Sequence, residues 1–405
     1  MSTVDLAAAG PWTAEGHWER MDAAVAGLDG TVAALSLEAL AHNARQMVER
    51  ADGTVLRLAT KSVRVRSVIE AVLRTPGWRG VLAATLPEAL WLAETVDDVL
   101  VGYPTTDRSG LRALAADEQS RSRVTLMIDS VEHLDVIDSA VPGHAELRVA
   151  LEIDSAFELL GVRAGVLRSP LRQPAQLRAL AEAVARRPGF RLVGIMSYEA
   201  QIAGVQDARW RGRNPPAVIR VMQRMSAAEL RDRRAAAVAA VGEVAALEFV
   251  NGGGTGSIES TAADRAVTEI GAGSGLFGAH LFDGYRGFRP APALGFSVPV
   301  VRRPGPGVAT LLGGGWVSSG PTIVDRDPVV VWPEGLRLDP GEGPGEVQTP
   351  VVGAAADQLR FGDRVWLRHA KAGEFGERIP HVQLVADGQV VGALPTYRGE
   401  GRVLL

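Results

Sequence analysis

The sequence predicts an α/β protein, a (β/α)8 TIM-like barrel followed by a C-terminal antiparallel β domain. From about residue 31 to 290, short apolar runs alternate with Ala-, Leu- and Arg-rich stretches of helical period, as in repeated βα units around a parallel sheet. Beyond residue 290, prolines interrupt this pattern, and short Val, Leu and Trp runs alternate with Gly and Pro turns. We therefore expect an N-terminal extension over 1–30, a barrel over 31–290 and a β domain over 291–405.

The barrel prediction is based on nine candidate strands, enough to close a barrel of eight. In chain order they are Val32–Ser36, Thr54–Ala59, Gly80–Ala84, Val99–Val101, Val124–Ile128, Arg148–Ile153, Leu192–Ser197, Leu247–Val250 and Val267–Ile270. The candidate helices between them include Leu37–Val48, Ser67–Leu73, Leu86–Thr95, Ala175–Ala185 and Ala217–Val241. The candidate strands of the β domain are Val308–Leu312, Val329–Trp332, Arg364–Arg368, Val382–Val385 and Val390–Leu394.

Composition excludes several classes of protein and of site. A hydrophobic content of 46% with 22% charged residues describes a globular protein with ample material for a core. A net charge of −4 gives no basic field for nucleic acid, so we expect no nucleic-acid partner. Without cysteine there are no disulfides, Cys-based zinc sites or thiol nucleophiles. Because neither a secretory signal nor a membrane-spanning stretch is evident, we expect a cytoplasmic protein with no membrane partner.

The chain contains only two lysines, Lys61 and Lys371, although Lys and Arg together number 43. Arginine stays protonated and cannot form an imine, whereas a buried lysine amine can attack a carbonyl. Lys61 follows the candidate strand Thr54–Ala59, at the strand end where barrel active sites are assembled. Lys61 is therefore a candidate for covalent chemistry. The alternative is that both lysines simply remain in a chain biased towards arginine.

A glycine-rich turn, Gly252–Ser257, follows a late candidate strand. Glycines let backbone N–H groups converge on an anion, and Thr255 and Ser257 can add hydroxyl donors, as in a phosphate-binding loop of a barrel. A second cluster, Gly271–Leu276, follows the next strand and can complete the loop. Together with an imine-forming lysine, these clusters predict the cofactor pyridoxal 5'-phosphate (PLP). Ordinary glycine-rich turns are the alternative.

Several segments resemble the alanine racemase / D-threonine aldolase family of PLP-dependent barrels, with the greatest similarity to actinobacterial proteins described as amino acid deaminase/aldolase. They are Ala34–Asn43, Arg57–Lys61, Val81–Ala89, Val101–Pro104 and Gly252–Gly256. The resemblance implies that Lys61 holds the cofactor as a Schiff base. It also implies a phosphate site formed by Gly253, Gly254, Thr255, Gly256, Ser257, Gly273 and Ser274. Relatives are generally dimers with shared sites, so it further implies a homodimer.

Two further cofactor-binding residues are implied by the resemblance. Arg163 matches the position where the aldolases place an arginine against the pyridine nitrogen. An arginine there keeps this nitrogen unprotonated, which weakens the ring as an electron sink. Tyr198 matches a tyrosine beside the cofactor. The alternatives are a surface arginine and a core tyrosine.

The C-terminal segment around His369 departs from the family. D-threonine aldolases carry a His and, two residues on, a Cys or Asp that hold a divalent metal, but here the second position is Lys371. On a strand these two side chains would share one face, and an ammonium repels a cation. His369 is thus a candidate metal ligand without its partner, with Glu374 or His381 as the nearest substitutes. Alternatively, Lys371 replaces the charge of the metal, or both residues lie on a solvated edge.

We therefore expect a PLP-dependent lyase for a small, β-hydroxylated amino acid, by retro-aldol cleavage or deaminating dehydration. Lys61 exchanges its imine with the substrate amine, and His369 or Lys371 handles the proton of the β-hydroxyl. Racemisation is the alternative, and it requires a second base opposite Lys61. The tyrosines available are Tyr103, Tyr198, Tyr285 and Tyr397. A non-catalytic PLP carrier is a further alternative, which the presence of residues 291–405 disfavours.

Overall fold

The computed structural model describes residues 4–208, 214–320, 324–371 and 373–403. The predicted ranges 1–30 and 291–405 therefore include a few residues outside the described part. The chain forms two compact units that interleave along the sequence, whereas we expected contiguous domains. The barrel unit comprises Met47–Lys61 and Pro76–Gly273, and the β unit comprises residues up to Gln46, Ser62–Thr75 and Ser274–Val403.

The secondary structure alternates strands and helices up to residue 290 and is mostly strands thereafter. The helices are α1 (His17–Ala24), α2 (Leu37–Arg50), α3 (Arg66–Leu73), α4 (Leu86–Leu92), α5 (Arg108–Ala116), α6 (Glu118–Arg123), α7 (Val131–Ala140), α8 (Pro174–Arg186), α9 (Ala200–Ala203), α10 (Pro216–Gly242) and α11 (Ile258–Ala262). The strands are β1 (Val32–Ser36), β2 (Val55–Ala59), β3 (Trp78–Ala83), β4 (Val99–Val101), β5 (Val124–Ile128), β6 (Leu147–Glu152), β7 (Phe157–Leu159), β8 (Val162–Ala164), β9 (Phe190–Ser197), β10 (Phe249–Gly252), β11 (Glu269–Ala272), β12 (Leu294–Gly305), β13 (Val308–Leu312), β14 (Val329–Trp332), β15 (Arg337–Leu338), β16 (Gln348–Val352), β17 (Arg364–Arg368), β18 (His381–Ala386) and β19 (Gln389–Pro395).

The barrel unit contains a closed ring of parallel strands in the order β10-β11-β2-β3-β4-β5-β6-β9, which confirms the predicted barrel. Its strands are short apolar runs such as Val124–Ile128, buried along their whole length because helices cover the outer face of the ring. Local capping sets the helix starts. Thr85 accepts from the Glu88 N–H at the start of α4, and Asp107 accepts from the Ser109 and Gly110 N–H groups at the start of α5.

The prediction that Val32–Ser36 is a barrel strand is wrong. Strand β1 pairs antiparallel with β12 and parallel with β18, so it belongs to the β unit. The eight remaining predicted strands are those that close the ring. A strand followed directly by a helix looks the same in the sequence whichever sheet it joins, because its strand partners are distant in the chain.

The β unit contains a nine-stranded, mostly antiparallel sheet, which confirms the predicted β architecture. Its path is β15-β16-β13-β12-β1-β18-β19, and β17 pairs with both β12 and β14. The N-terminal extension packs into this unit. Met21 and Val25, from α1 and its end, lie in one core cluster with Trp366, whose indole N–H donates to Asp22 at 2.8 Å. No helix in the described part of the chain is long and apolar enough to cross a membrane.

A buried ionic network lies inside the barrel ring. The Arg57 guanidinium of β2 donates to both oxygens of Glu269 on β11 at 2.6 and 2.9 Å, and to both oxygens of Asp98 at 2.8 Å. Asn251 of β10 donates to Glu269 at 2.9 Å. Buried charges are tolerated only when they are paired. The network therefore fixes the register of neighbouring strands, and it lies below the residues that follow the carboxyl ends of those strands.

Candidate active site

Lys61 lies just after the carboxyl end of β2, in the short 3-10 turn Thr60–Ser62. The turn is anchored by the Thr60 hydroxyl, which lies 2.7 Å from a Glu88 oxygen and 3.1 Å from the Leu82 carbonyl oxygen. The Lys61 Nζ donates to the Tyr103 hydroxyl at 3.1 Å. The lysine is therefore at the end of the barrel where active sites are built, as its sequence position predicts.

Tyr103 and its neighbours give Lys61 a charged environment. Burial alone would raise the pKa of Tyr103, but the charges of Lys61 and Arg168, together with the hydrogen bond from Lys61, outweigh it and lower this pKa. The Arg168 guanidinium carbon lies 5.1 Å from the ring centroid of Tyr103 and 5.0 Å from that of Tyr198. Arg168 thus lies between the two tyrosine rings in cation–π geometry.

Tyr198 connects this arrangement to the glycine turn. It follows the carboxyl end of β9, and burial raises the pKa of its hydroxyl. A Cβ placed on Gly254 would come within 2.9 Å of the Ala203 Cβ and 3.2 Å of the Tyr198 ring, so a glycine lets the turn pack closely against both. A continuous series of contacts therefore runs from Lys61 through Tyr103, Arg168 and Tyr198 to the glycine turn.

The glycine turn follows the carboxyl end of β10 and leads through the 3-10 turn Thr255–Ser257 into α11. Gly253 has a φ of 75°, in the region that favours glycine. The Gly254 N–H donates to the Ser257 hydroxyl at 3.1 Å, so this hydroxyl, predicted as a phosphate donor, also closes the turn on itself. Thr255 and Ser257 are both buried.

Gly273 follows β11, the strand that pairs with β2. A Cβ at Gly273 would overlap the carbonyl oxygen of Ala59, two residues before Lys61. Ser274, predicted with it, is the first residue of the last segment of the β unit. The barrel residues fit PLP: an amine follows one strand, N–H and hydroxyl groups follow another, and Gly254 and Gly273 let the backbone approach Tyr198 and Ala59 where a side chain would collide.

Arg163 is placed differently from the other predicted cofactor-binding residues. It lies on β8 of the β7–β8 hairpin, and its guanidinium pairs with Asp154 at 2.8 Å and Glu158 at 2.6 Å. Its side chain is 32% exposed. The contacts of Arg163 do not include Lys61, Tyr103 or Tyr198, and the inferred role towards the pyridine nitrogen stays a prediction.

Two charged residues of the barrel site were missed in the sequence. Arg168 is indistinguishable by pattern from the many other arginines, although it lies in the segment that follows β6, on the active end of the ring. Glu152, the last residue of β6, lies 3.5 Å from Arg168. Burial raises the pKa of Glu152 to about 7, with Asp129 adding to the shift and Arg168 opposing it. A glutamate directly after the apolar run 149–151, at the end of a strand, is the signal that could have found it.

His369 and Lys371 lie beyond the end of β17, which stops at Arg368. The expectation that both project from one strand face is therefore wrong. Both nevertheless line one small pocket of the β unit, together with Trp316, Ser318, Glu374, Phe375 and others. The Lys371 Nζ donates to the Ser319 carbonyl oxygen at 2.9 Å, and Glu374 accepts from the N–H and the hydroxyl of Ser319.

His369 is 2% exposed, and neither ring nitrogen has a hydrogen-bond partner among the described residues. Burial lowers the pKa of His369 to about 3, and the charges of Arg368 and His280 act in the same direction. The imidazole is therefore neutral at neutral pH.

The residues around His369 do not fit a divalent metal site. In the described part of the chain, no group of three or more His, Asp or Glu side chains is placed to hold a metal ion. Of the candidate substitutes, Glu374 lines the same pocket as His369 but is hydrogen-bonded to Ser319, and His381 is exposed on β18. An ammonium at the position of the second ligand also opposes a cation.

Two curated proteins are similar to part of this chain. A D-threonine aldolase of an Arthrobacter species is 26% identical over 215 residues, which cover 51% of each chain. A 3-hydroxy-D-aspartate aldolase of Paracoccus denitrificans is 27% identical over 251 residues, covering 60% of this chain and 59% of the relative. The chain thus spans between half and three-fifths of the length of these relatives.

Solved structures share the fold over nearly the whole chain. D-threonine aldolase from Filomicrobium marinum has a TM-score of 0.76 at 21% identity, covering 93% of this chain and 96% of its own. Alanine racemase from Bacillus anthracis has a TM-score of 0.62 at 16% identity, covering 92% and 99%.

A family model described as "Alanine racemase, N-terminal domain" matches residues 35–280, more than half of the chain. This range includes Lys61, Tyr103, Arg168, Tyr198 and the glycine turn. The match and the shared fold agree with the resemblance seen in the sequence. The chain therefore belongs to the alanine racemase N-terminal domain family, a family of PLP-dependent enzymes.

Proposed function

We propose that this protein is a PLP-dependent lyase that acts on a small β-hydroxy amino acid, by retro-aldol cleavage or by deaminating dehydration. The observation that carries the proposal is the series of contacts from the Lys61 amine to the glycine turn. PLP, when bound, supplies an electron sink for the bond that breaks at the substrate Cα. The aldolases among the similar proteins support a β-hydroxy substrate.

Lys61 must be a neutral amine to attack the aldehyde of the cofactor. Its Nζ lies 3.1 Å from the Tyr103 hydroxyl, whose pKa is lowered by Lys61 and Arg168 against the opposing effect of burial. In its phenolate form, which the charge of Arg168 stabilises, Tyr103 can accept a proton from Nζ when Lys61 forms its imine. In this proposal Tyr103 adjusts the protonation of Lys61, and Arg168 keeps Tyr103 in place.

The tyrosines favour a lyase over a racemase. Two bases that act on opposite sides of one carbon must be separated by at least the substrate between them. Tyr103 touches Lys61 directly, so it does not meet this condition. Tyr198 packs against Arg168 and the glycine turn, Tyr285 lies in an aromatic cluster with Phe282 and Phe288, and Tyr397 is fully buried.

For the β-hydroxyl, we propose that Lys371 has the larger role. A base is effective near its own pKa, and the pKa of His369, about 3, makes its imidazole a weak base at neutral pH. The Lys371 ammonium can instead stabilise negative charge that develops on the substrate oxygen, as a metal ion would. His369 then contributes an uncharged side chain to the lining of the pocket that both residues share.

A non-catalytic PLP carrier is the alternative from another class. The β unit, with Lys371 and His369 in one pocket, argues against it because a carrier needs only the barrel residues. From the resemblance we also propose a homodimer, and from the charge and the apolar pattern of the sequence a cytoplasmic protein with neither nucleic acid nor a membrane as a partner.

The test is incubation of the PLP-loaded protein with D- and L-forms of threonine, allo-threonine, serine and 3-hydroxyaspartate. Aldehyde and 2-oxo acid are assayed separately, and inversion at Cα is followed by chiral chromatography. Release of an aldehyde with glycine identifies an aldolase, and ammonia with a 2-oxo acid identifies a dehydratase. Inversion without either product would replace the proposal by a racemase, and no turnover with any substrate would favour the carrier.

A further inference from the structure

The carboxylate of Glu199 lies inside the glycine turn rather than in solvent. The residue is 2% exposed. One oxygen accepts from the Gly253 N–H at 2.9 Å, and the other accepts from the Thr261 hydroxyl at 2.5 Å and lies 3.5 Å from the Ser257 hydroxyl. The turn and α11, which follows it, are therefore held by a single side chain from the end of β9.

The charge of Glu199 is compensated from α10. Arg234 donates to Glu199 at 3.1 Å and to Asp264 at 2.6 Å, and its Nε lies 3.1 Å from the Ser197 hydroxyl. Two carboxylates thus share one guanidinium, and all three side chains are buried. If Glu199 loses its charge, Arg234 and Asp264 remain a balanced pair, so a neutral residue of the same shape is compatible with the fold.

Gly253 shows why the turn needs such an anchor. Its φ of 75° is available at little cost only to glycine, which also loses the most conformational freedom on folding. A Cβ there would come within 2.9 Å of Ile270 and Thr261, so the neighbouring side chains leave no room for a larger residue beside the N–H bond to Glu199. Tyr198, the residue before Glu199, packs against Gly254. Consecutive side chains therefore hold consecutive glycines of the turn.

We propose that Glu199 is a positioning residue for the phosphate of PLP: it holds the glycine turn in the one conformation in which its remaining donors converge on the phosphate. The inference rests on the PLP binding proposed above. A buried carboxylate near a phosphate is electrostatically unfavourable, so its presence is explained by the order that its hydrogen bonds impose on the turn. Glu199 does not contact the reacting end of the cofactor in this proposal, and its effect is confined to the phosphate.

The test compares PLP with pyridoxal, which lacks the phosphate, in the wild type and in Glu199→Gln. Dissociation constants are measured by absorbance titration of cofactor-free protein at 25 °C. Glu199→Gln keeps one oxygen that can accept from the Gly253 N–H and Arg234, but it replaces charge-assisted hydrogen bonds by weaker neutral ones, so it should weaken PLP binding at least about tenfold. Pyridoxal binding should change less than about twofold, since the aldehyde end still meets Lys61. Thr261→Val, which removes one donor to Glu199, should weaken PLP binding by a smaller factor.

The matched control is Glu182→Gln, which removes an exposed carboxylate of α8 in the same unit and should leave both constants unchanged. Circular dichroism and thermal unfolding establish that each variant is folded at the temperature of the titration. Equal losses for PLP and pyridoxal would assign Glu199 a general structural role and overturn the inference, as would unchanged or tighter PLP binding in Glu199→Gln. A wild type that binds neither compound would overturn the proposed function itself.

Discussion

The two lysines of the chain lie in different units and have different partners. The Lys61 Nζ contacts the Tyr103 hydroxyl, a group that can exchange a proton, and the pKa of that hydroxyl is lowered. The Lys371 Nζ donates to the backbone carbonyl of Ser319, which can accept a hydrogen bond but cannot take the proton. The comparison favours Lys61 over Lys371 for the covalent chemistry proposed above.

The buried polar groups near the two lysines also differ in their hydrogen-bond partners. Around the barrel site, the buried charges of Arg57, Glu199 and Arg234 have hydrogen-bonded partners of opposite charge. In the pocket of the β unit, His369 has no hydrogen-bond partner on either ring nitrogen among the described residues. Substitutions of these barrel residues therefore test electrostatic interactions, whereas substitution of His369 tests side-chain packing.

The largest effect is expected for Lys61→Arg. Arginine retains the positive charge but cannot form an imine, so turnover should fall by at least about 10³-fold while the fold persists. The wild type with PLP should absorb at about 410–430 nm, and the variant should not. Turnover above a few per cent of wild type would contradict the covalent role of Lys61.

Borohydride reduction followed by peptide mapping compares the two lysines directly. We expect the pyridoxyl group on Lys61 and not on Lys371, because the Lys61 Nζ lies at the active end of the barrel and contacts a phenol hydroxyl, whereas the Lys371 Nζ donates to a backbone carbonyl. Labelling of Lys371 would instead assign the Schiff base to Lys371.

The next effect is expected for Lys371→Ala. Loss of an ammonium that stabilises developing negative charge should lower kcat by about 30- to 1000-fold, or about 2–4 kcal/mol, with little change in PLP affinity. Lys371→Arg, which keeps the charge, should recover part of the activity, and a chelator should leave the wild type active. Activity that is lost on chelation and restored by Mn²⁺ or Zn²⁺ would show instead that His369 binds a metal with other partners.

The sequence predicted those parts of the fold and site that depend on local pattern. The period of the βα units located all eight strands of the ring, and the glycine turn and Lys61 were identified because each follows directly from a strand. The partner sheet of β1 was not predictable, since a strand and the helix after it carry no information on which distant strand pairs with them.

Other site residues act through contacts that are distant in the sequence. Arg168 is one of 41 arginines, the 43 lysines and arginines less the two lysines, and only the fold places it between two tyrosine rings. Glu199 follows Tyr198 in the sequence but contacts a turn more than fifty residues away. The predicted relation of His369 to Lys371 was wrong because a period of two holds only inside a strand, and β17 ends at Arg368, before both residues.

A smaller effect, on stability, is expected for Glu152→Gln in the barrel. The folded-state pKa of Glu152 is about 7, above its ordinary value of 4.5, because burial disfavours the charged form. The folded protein therefore binds a proton that the unfolded chain has lost, and stability falls as pH rises through this interval. Between pH 5.5 and 8.0 the wild type should lose about 2 kcal/mol relative to the variant. Urea unfolding at pH 5.5 and 8.0 measures this difference, and a parallel pH dependence in both proteins would refute it.

The smallest effect is expected for His369→Leu, and its pH dependence should have the opposite sign. At pH 8 the imidazole is neutral in both states and has no hydrogen bond to lose, so the free energy of unfolding should change by less than about 1 kcal/mol. Below the ordinary His pKa of 6.5, the unfolded chain takes up a proton that folded His369, with a pKa of about 3, does not. The wild type should therefore lose about 1.4 kcal/mol relative to the variant at pH 5.5. A loss above about 2 kcal/mol in His369→Leu at pH 8 would mean that the ring nitrogens are hydrogen-bonded, and the contrast between the two regions would then fail.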